Sequence, residues 1–195
     1  LKRIAAFTEK LVPFMVILYL LGTIVIIAMN ITTVPDIIVS IFKGAFHLKS
    51  AAGGAVGSGI ALAMQMGMKR GVFSNEAGLG SSVMVHSNSN VKEPVKQGLW
   101  GIFEVFADTI IVCTMTALVI LTSGVIDLDM GVTEYGDATL AAEAFNTIFK
   151  IGNIEYGRYF IAIAILLFAF TTVLGWSHYG TKAVEYLAGK SAPIV

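Results

Sequence analysis

Three stretches of the chain are apolar for long enough to cross a bilayer. Residues 11–30, LVPFMVILYLLGTIVIIAMN, carry no charge, and a helix of that length rises about 30 Å, the thickness of a hydrocarbon core. Pro13 falls in the first turn of such a span, where a missing N–H does little harm. The second stretch is 97–122, QGLWGIFEVFADTIIVCTMTALVILT. The third begins as RYFIAIAILLFAFTTVLGW and is expected to span over 158–180. Residues 35–47, PDIIVSIFKGAFH, repeat Ile37, Ile38, Ile41, Phe42 and Ala45 at helical spacing. That run is too short to span and reads as an interfacial or loop helix, with Pro35 and Asp36 in its first turn and His47 in the loop beyond.

The remaining pattern is less regular. Residues 51–68, AAGGAVGSGIALAMQMGM, are rich in small side chains, with steps Gly53/Gly57 and Gly67/Gly71 that allow close approach between membrane helices. Their apolar part, Ala55 to Met68, is short for a span and reads as a half-helix that stops inside the membrane. Residues 124–157 hold Asp127, Asp129, Glu134, Asp137, Glu143 and Glu155 against Lys150, which suits an outer loop. Within it, 139–150 reads as an amphipathic helix capped by Asp137 or Thr139. Lys2, Arg3 and Lys10 before the first span, Lys92 and Lys96 before the second, and Lys182 and Lys190 after the third place those ends on the cytoplasmic side. Lys43 and Lys49 then fall on the outer side, against that orientation.

Composition agrees with this pattern. Hydrophobic residues make up 56% and charged residues 13% of the chain, where a soluble domain carries about 25% charged. A net charge of zero gives no indication of nucleic-acid binding. Cys113 lies in an apolar run, so neither an intrachain disulfide nor a cysteine metal cluster is available. The first residues show no signal-peptide pattern, and the chain reads as an internal fragment of a longer polytopic protein.

The chemistry gathers at 71–82, GVFSNEAGLGSS. Gly71, Gly78 and Gly80 can supply positive φ or absence of bulk. Ser74, Asn75 and Glu76 can start a new half-helix. In a membrane, such a break can hold an anion at a helix N-terminus and a cation at freed carbonyls. An ordinary cytoplasmic loop fits the same residues. Lys69 and Arg70 just before it must face protein, water or an acid. In the second span Gln97, Gly101, Glu104 and Asp108 share one helical stripe. Its carboxylates are either functional or paired with basic groups such as Lys69 and Arg70. In the third span Thr171 and Thr172 can back-bond to their own helix, or offer hard oxygens to a cation together with the Phe168 carbonyl. His86 and His178 read as loop and interfacial residues.

At RGVFSNEAGLGSS, through PVKQGLWGIFEVFADTIIVCTMTALVILTSG, and again at FAFTTVLGWSHYG, the chain resembles the alanine/glycine:cation symporter family. These blocks cover about a third of the chain. The resemblance implies an all-α, polytopic membrane protein with a LeuT-like fold of inverted five-helix repeats, of which this piece supplies the fifth to eighth core helices. The discontinuous sixth would lie near 51–88. Gly71, Phe73, Ser74, Asn75, Glu76 and Trp176 would line the substrate pocket, and Phe168, Thr171 and Thr172 would ligate sodium. The function implied is sodium-coupled symport of alanine or glycine across the plasma (inner) membrane. Sodium would be the coupling ion, no cofactor would be involved, and the remaining transmembrane helices would complete the site. Rival readings are a proton-coupled carrier using Glu76, Glu104 or Asp108, an intramembrane enzyme using Glu104 and Asp108, and a structural subunit.

Overall fold

The computed structural model describes residues 2–46, 55–87, 89–126 and 134–189. His47, Lys49, Gly53, Asp127, Asp129 and Lys190, all used in the sequence reading, lie outside the described residues. The described chain is mostly helical: α1 Lys2–Met29, α2 Val34–Phe46, α3 Ala55–Ser74, α4 Ser81–His86, α5 Pro94–Val105, a π-helical segment Phe106–Cys113, α6 Thr114–Thr122, α7 Asp137–Asn146 and α8 Tyr156–Ala188. Among the described residues, three helical stretches are long and apolar enough to cross a membrane, Phe7–Met29, Pro94–Thr122 and Tyr156–Ala188.

Local chemistry sets the ends. α1 begins well before the apolar run, so Pro13 sits in its interior and not in the first turn; there it removes one backbone donor from the ladder. The helix stops where Asn30 turns its side-chain amide back onto the Ile26 carbonyl at 3.2 Å. α5 starts with Pro94 in its first turn, where no N–H is needed. α7 is capped by Gly136, not by Asp137 or Thr139, and Thr139 donates to the Gly136 carbonyl at 2.9 Å. That helix ends at Asn146. The rest of the segment expected to be helical turns into an antiparallel hairpin, β1 Lys150–Ile151 with β2 Ile154–Glu155. Gly152 makes its turn at φ 61°.

The chain divides into two compact units, Leu1–Val34 with Thr114–Val195, and Pro35–Cys113. The first is built on packing of α1, α6, α7 and α8. Ile26, Val119, Ala144, Phe145 and Ile161 form its buried centre. Phe145 is fully enclosed, stacked between Tyr19 at 5.8 Å and Phe160 at 5.5 Å between ring centroids. Tyr19 uses its other end as well: its hydroxyl hydrogen-bonds Thr116 at 2.7 Å. Thr23, buried among apolar groups, is satisfied by donating to the Leu20 carbonyl. Outside this centre the long helices leave large apolar side chains uncovered, among them Phe14, Leu21, Ile163, Leu166 and Val173. Lipid or further helices must cover them, since so much contiguous apolar surface is not stable in water. The second unit holds α2, α3, α4, α5 and the π segment.

Candidate functional site

One candidate site is the gap between α3 and α4, within the second unit. α3 does not stop near Met68. It continues through Lys69, Arg70 and Gly71 to Ser74, so Gly71, Phe73 and Ser74 are helical and not unwound. Ala, Met, Gln, Lys and Arg in the preceding turns are good helix formers and carry the helix past Gly71. The true interruption is residues 75–80.

That interruption is a defined turn. The Ala77 N–H bonds the Val72 carbonyl at 3.0 Å and the Glu76 N–H bonds the Phe73 carbonyl at 3.3 Å. This pair of bonds is a Schellman C-terminus, whose left-handed residue is usually glycine. Here it is Glu76, with φ 49°, the one non-glycine at positive φ among the described residues. Gly78 and Gly80 follow with φ of 78° and 77°. Ser74, Asn75 and Glu76 therefore close α3; they do not open α4, whose cap is Gly80 with no side-chain bond. Across the turn, the Ser81 hydroxyl donates to Glu76 Oε2 at 2.6 Å, tying the two helix ends together.

Asp108 and Thr109 hold the exit of α3 from the side. The Ser74 hydroxyl donates to Asp108 Oδ2 at 2.7 Å. The Asn75 amide donates to Thr109 Oγ1 at 2.9 Å and to the Gly71 carbonyl at 3.0 Å. Both partners lie in the π-helical segment, a widened helix form found mostly as short bulges at functional sites. Along the stripe expected over 97–108, Gln97 Nε2 lies 2.8 Å from His86 Nδ1, and His86 Nε2 faces Glu104 Oε2 at 4.0 Å. Asp108 serves the interruption. His86 is the last residue of α4 and part of this network, not a free loop histidine. Beside it opens a cleft of about 510 Å³ with mainly apolar walls, including Val83, Val91, Pro94 and Gly101. Sequence reasoning missed Thr109 altogether, because a lone threonine in an apolar span carries no signal until its partner is known.

A separate oxygen cluster lies on α8, in the first unit. Thr171 and Thr172 both donate to the Phe168 carbonyl at 2.9 Å. Three oxygens therefore sit together on one turn of an otherwise apolar helix, one carbonyl and two hydroxyls, the hard-oxygen chemistry that a small cation takes. Each hydroxyl keeps free lone pairs while back-bonded. Trp176, one turn further, is exposed and tilted against Tyr179 at 6.3 Å between centroids. Phe168 packs edge-on against Tyr19 at 5.9 Å, which fixes this turn relative to α1.

Comparison with known proteins identifies the lineage. The family model described as the sodium:alanine symporter family matches residues 1–195. An uncharacterized transporter of Haemophilus influenzae is 43% identical over 188 residues, 96% of this chain and 40% of that protein. The sodium/alanine symporter AgcS of Methanococcus maripaludis is 39% identical over 189 residues, 97% of this chain and 40% of that protein. A putative sodium/proton-dependent alanine carrier protein of Bacillus subtilis, YrbD, is 38% identical over 197 residues, 96% of this chain and 39% of that protein. No solved structure matches. This chain spans about two-fifths of the length of these relatives. It belongs to the sodium:alanine symporter family, a family of membrane transporters, and the intramembrane-enzyme reading falls with that assignment.

Proposed function

We propose that the full-length protein carries a small amino acid, alanine or glycine, together with sodium across the plasma (inner) membrane. The observation that carries this reading is the pinned interruption at 75–80, whose backbone is bent into left-handed turns and held by side chains on both flanks. Irregular backbone at membrane depth persists only where it is buried in protein or lines a cavity. Substrate then meets Gly71, Phe73, Ser74, Asn75 and Glu76, and Trp176 is a further proposed substrate contact. Phe168, Thr171 and Thr172 supply three oxygens to sodium. Two of them are hydroxyls that turn their lone pairs toward the ion without leaving the helix. The remaining ligands come from helices outside this chain, in a LeuT-like arrangement of inverted repeats. Sodium binding favours the conformation that takes up substrate, and transport follows by rocking of helix bundles around the site. The names of the archaeal and Bacillus relatives support alanine and sodium.

A proton-coupled variant has its own support in the His86–Glu104 approach and in the sodium/proton wording of the Bacillus relative's name. One experiment separates the two. The full-length protein is reconstituted in liposomes and uptake of labelled alanine and glycine is measured with an inward sodium gradient, then with choline replacing sodium at fixed pH. Uptake that collapses in choline is expected. Undiminished uptake in choline overturns the sodium reading, and absence of any small amino-acid uptake overturns the carrier reading.

A further inference from the structure

We infer that Asp108 is a positioning residue for substrate binding, acting through Ser74 and, with its neighbour Thr109, through Asn75. The inference rests on the proposed substrate role of residues 71–76. The geometry behind it is specific. Asp108 and Thr109 are neighbours in the π-helical turn at 106–113, and each meets a different member of the adjacent pair Ser74 and Asn75. Their grip lies at the last turn of α3, just before the left-handed Glu76. The carboxylate is half-buried in an apolar helix, and a charged acceptor makes the stronger kind of hydrogen bond to the hydroxyl.

Asp108 thus has a role other than carrying charge. It fixes the Ser74 rotamer and the direction in which the chain leaves α3. Asparagine at 108 would keep an acceptor oxygen for the Ser74 hydroxyl, whereas alanine would not. Valine at 109 would keep the shape and remove the partner of Asn75.

The test uses full-length protein and two readouts. In liposomes, sodium-driven alanine uptake is measured for wild type, Asp108→Ala, Asp108→Asn and Thr109→Val. In detergent micelles, hydrogen–deuterium exchange is followed over residues 71–80. Asp108→Ala is expected to raise the KM for alanine roughly tenfold, with maximal rate per folded protein within about threefold. Asp108→Asn is expected to stay within about threefold of wild type in KM, and Thr109→Val to fall between. Exchange over 71–80 should quicken in the same order. The inference is overturned if Asp108→Ala lowers only the amount of folded protein and leaves KM and exchange unchanged. It is also overturned if Asp108→Asn is as damaging as Asp108→Ala, because the charge itself would then be in use. If wild type takes up no small amino acid, the proposed function fails, while the exchange order still decides whether Asp108 and Thr109 hold the interruption.

Discussion

Replacing Gly157 by alanine should loosen the packing of α7 on α8 more than the same change at Gly22. Gly157 is buried in the first turn of α8. A Cβ there would collide with the Asn146 nitrogen and fall 2.5 Å from Asn146 Cα and the Phe145 carbonyl carbon. Carbon atoms prefer about 3.5–4.0 Å, so the end of α7 must retreat by about 1 Å. It cannot do so by rotating a side chain, because all three obstacles are backbone. The retreat drags Phe145 out of its stack between Tyr19 and Phe160. Overpacking costs about 1–3 kcal/mol, and a rigid obstacle argues for the upper end. Alanine regains up to about 1 kcal/mol of helix propensity over glycine. The net loss is about 2 kcal/mol. Gly22→Ala is the internal comparison: its Cβ meets the tip of the Phe160 ring at 2.7 Å, and a ring tip can tilt. Thermal unfolding of the full-length protein in detergent, followed by Trp fluorescence, should rank wild type above Gly22→Ala above Gly157→Ala. A Gly157→Ala protein as stable as wild type, or more stable than Gly22→Ala, would refute the reasoning.

Other consequences are independent of that one. Thr171→Ala and Thr172→Ala should each raise the sodium concentration for half-maximal uptake several-fold while leaving thermal stability near wild type, because each removes one oxygen from the α8 cluster and only a local back-bond; flux titrated against sodium reads it, and an unchanged sodium dependence in both counts against the ion site. Tyr19→Phe and Thr116→Val should show a coupling of about 0.5–1.5 kcal/mol in a double-mutant cycle of unfolding; strict additivity would mean the 2.7 Å contact between α1 and α6 contributes nothing.

The long apolar runs were legible because helical rise and bilayer thickness fix a length with no reference to partners. The helices long and apolar enough to cross a membrane among the described residues, Phe7–Met29, Pro94–Thr122 and Tyr156–Ala188, overlap the apolar runs 11–30, 97–122 and 158–180, and α1 and α8 continue through polar residues that periodicity cannot distinguish from loop. The hairpin at 150–155 escaped an amphipathic reading because Phe145, Ile148 and Phe149 keep helical spacing past Asn146; the Gly152–Asn153 pair between two isoleucines was the turn signal. Gln97, Glu104 and Asp108 of the expected stripe all find partners at the ends of α3 and α4, Gln97 and Glu104 at His86 and Asp108 at Ser74, and the π-helical form from Phe106 onward is what a regular period does not anticipate. Ser74 and Asn75 were expected to open α4 and instead close α3. Capping residues suit either helix that flanks them, and only the bonds from Asn75 to Gly71 and Thr109 decide between the two.

Glu76 has the sharpest conflict between local preference and position. The left-handed residue of a Schellman turn is usually glycine, and a glutamate there bears a conformational penalty of about 1 kcal/mol. The chain keeps glycine at Gly78 and Gly80 in the same turn yet not at 76. What Glu76 adds is a carboxylate facing Ser81 across the gap, so the side chain is needed where the backbone would favour none. Two substitutions separate these contributions. Glu76→Ala removes the carboxylate and keeps the strain; Glu76→Gly removes the carboxylate and relieves it. Gly should therefore be the more stable of the two by about 1 kcal/mol, the reverse of their order inside a helix. Neither should transport like wild type, since both lose the tie to Ser81 and the group proposed to face substrate. Equal stability of the two would mean that position 76 is not left-handed in the folded protein. Normal uptake by the glycine variant would mean that the carboxylate is dispensable, and that the strain at 76 serves no part of transport.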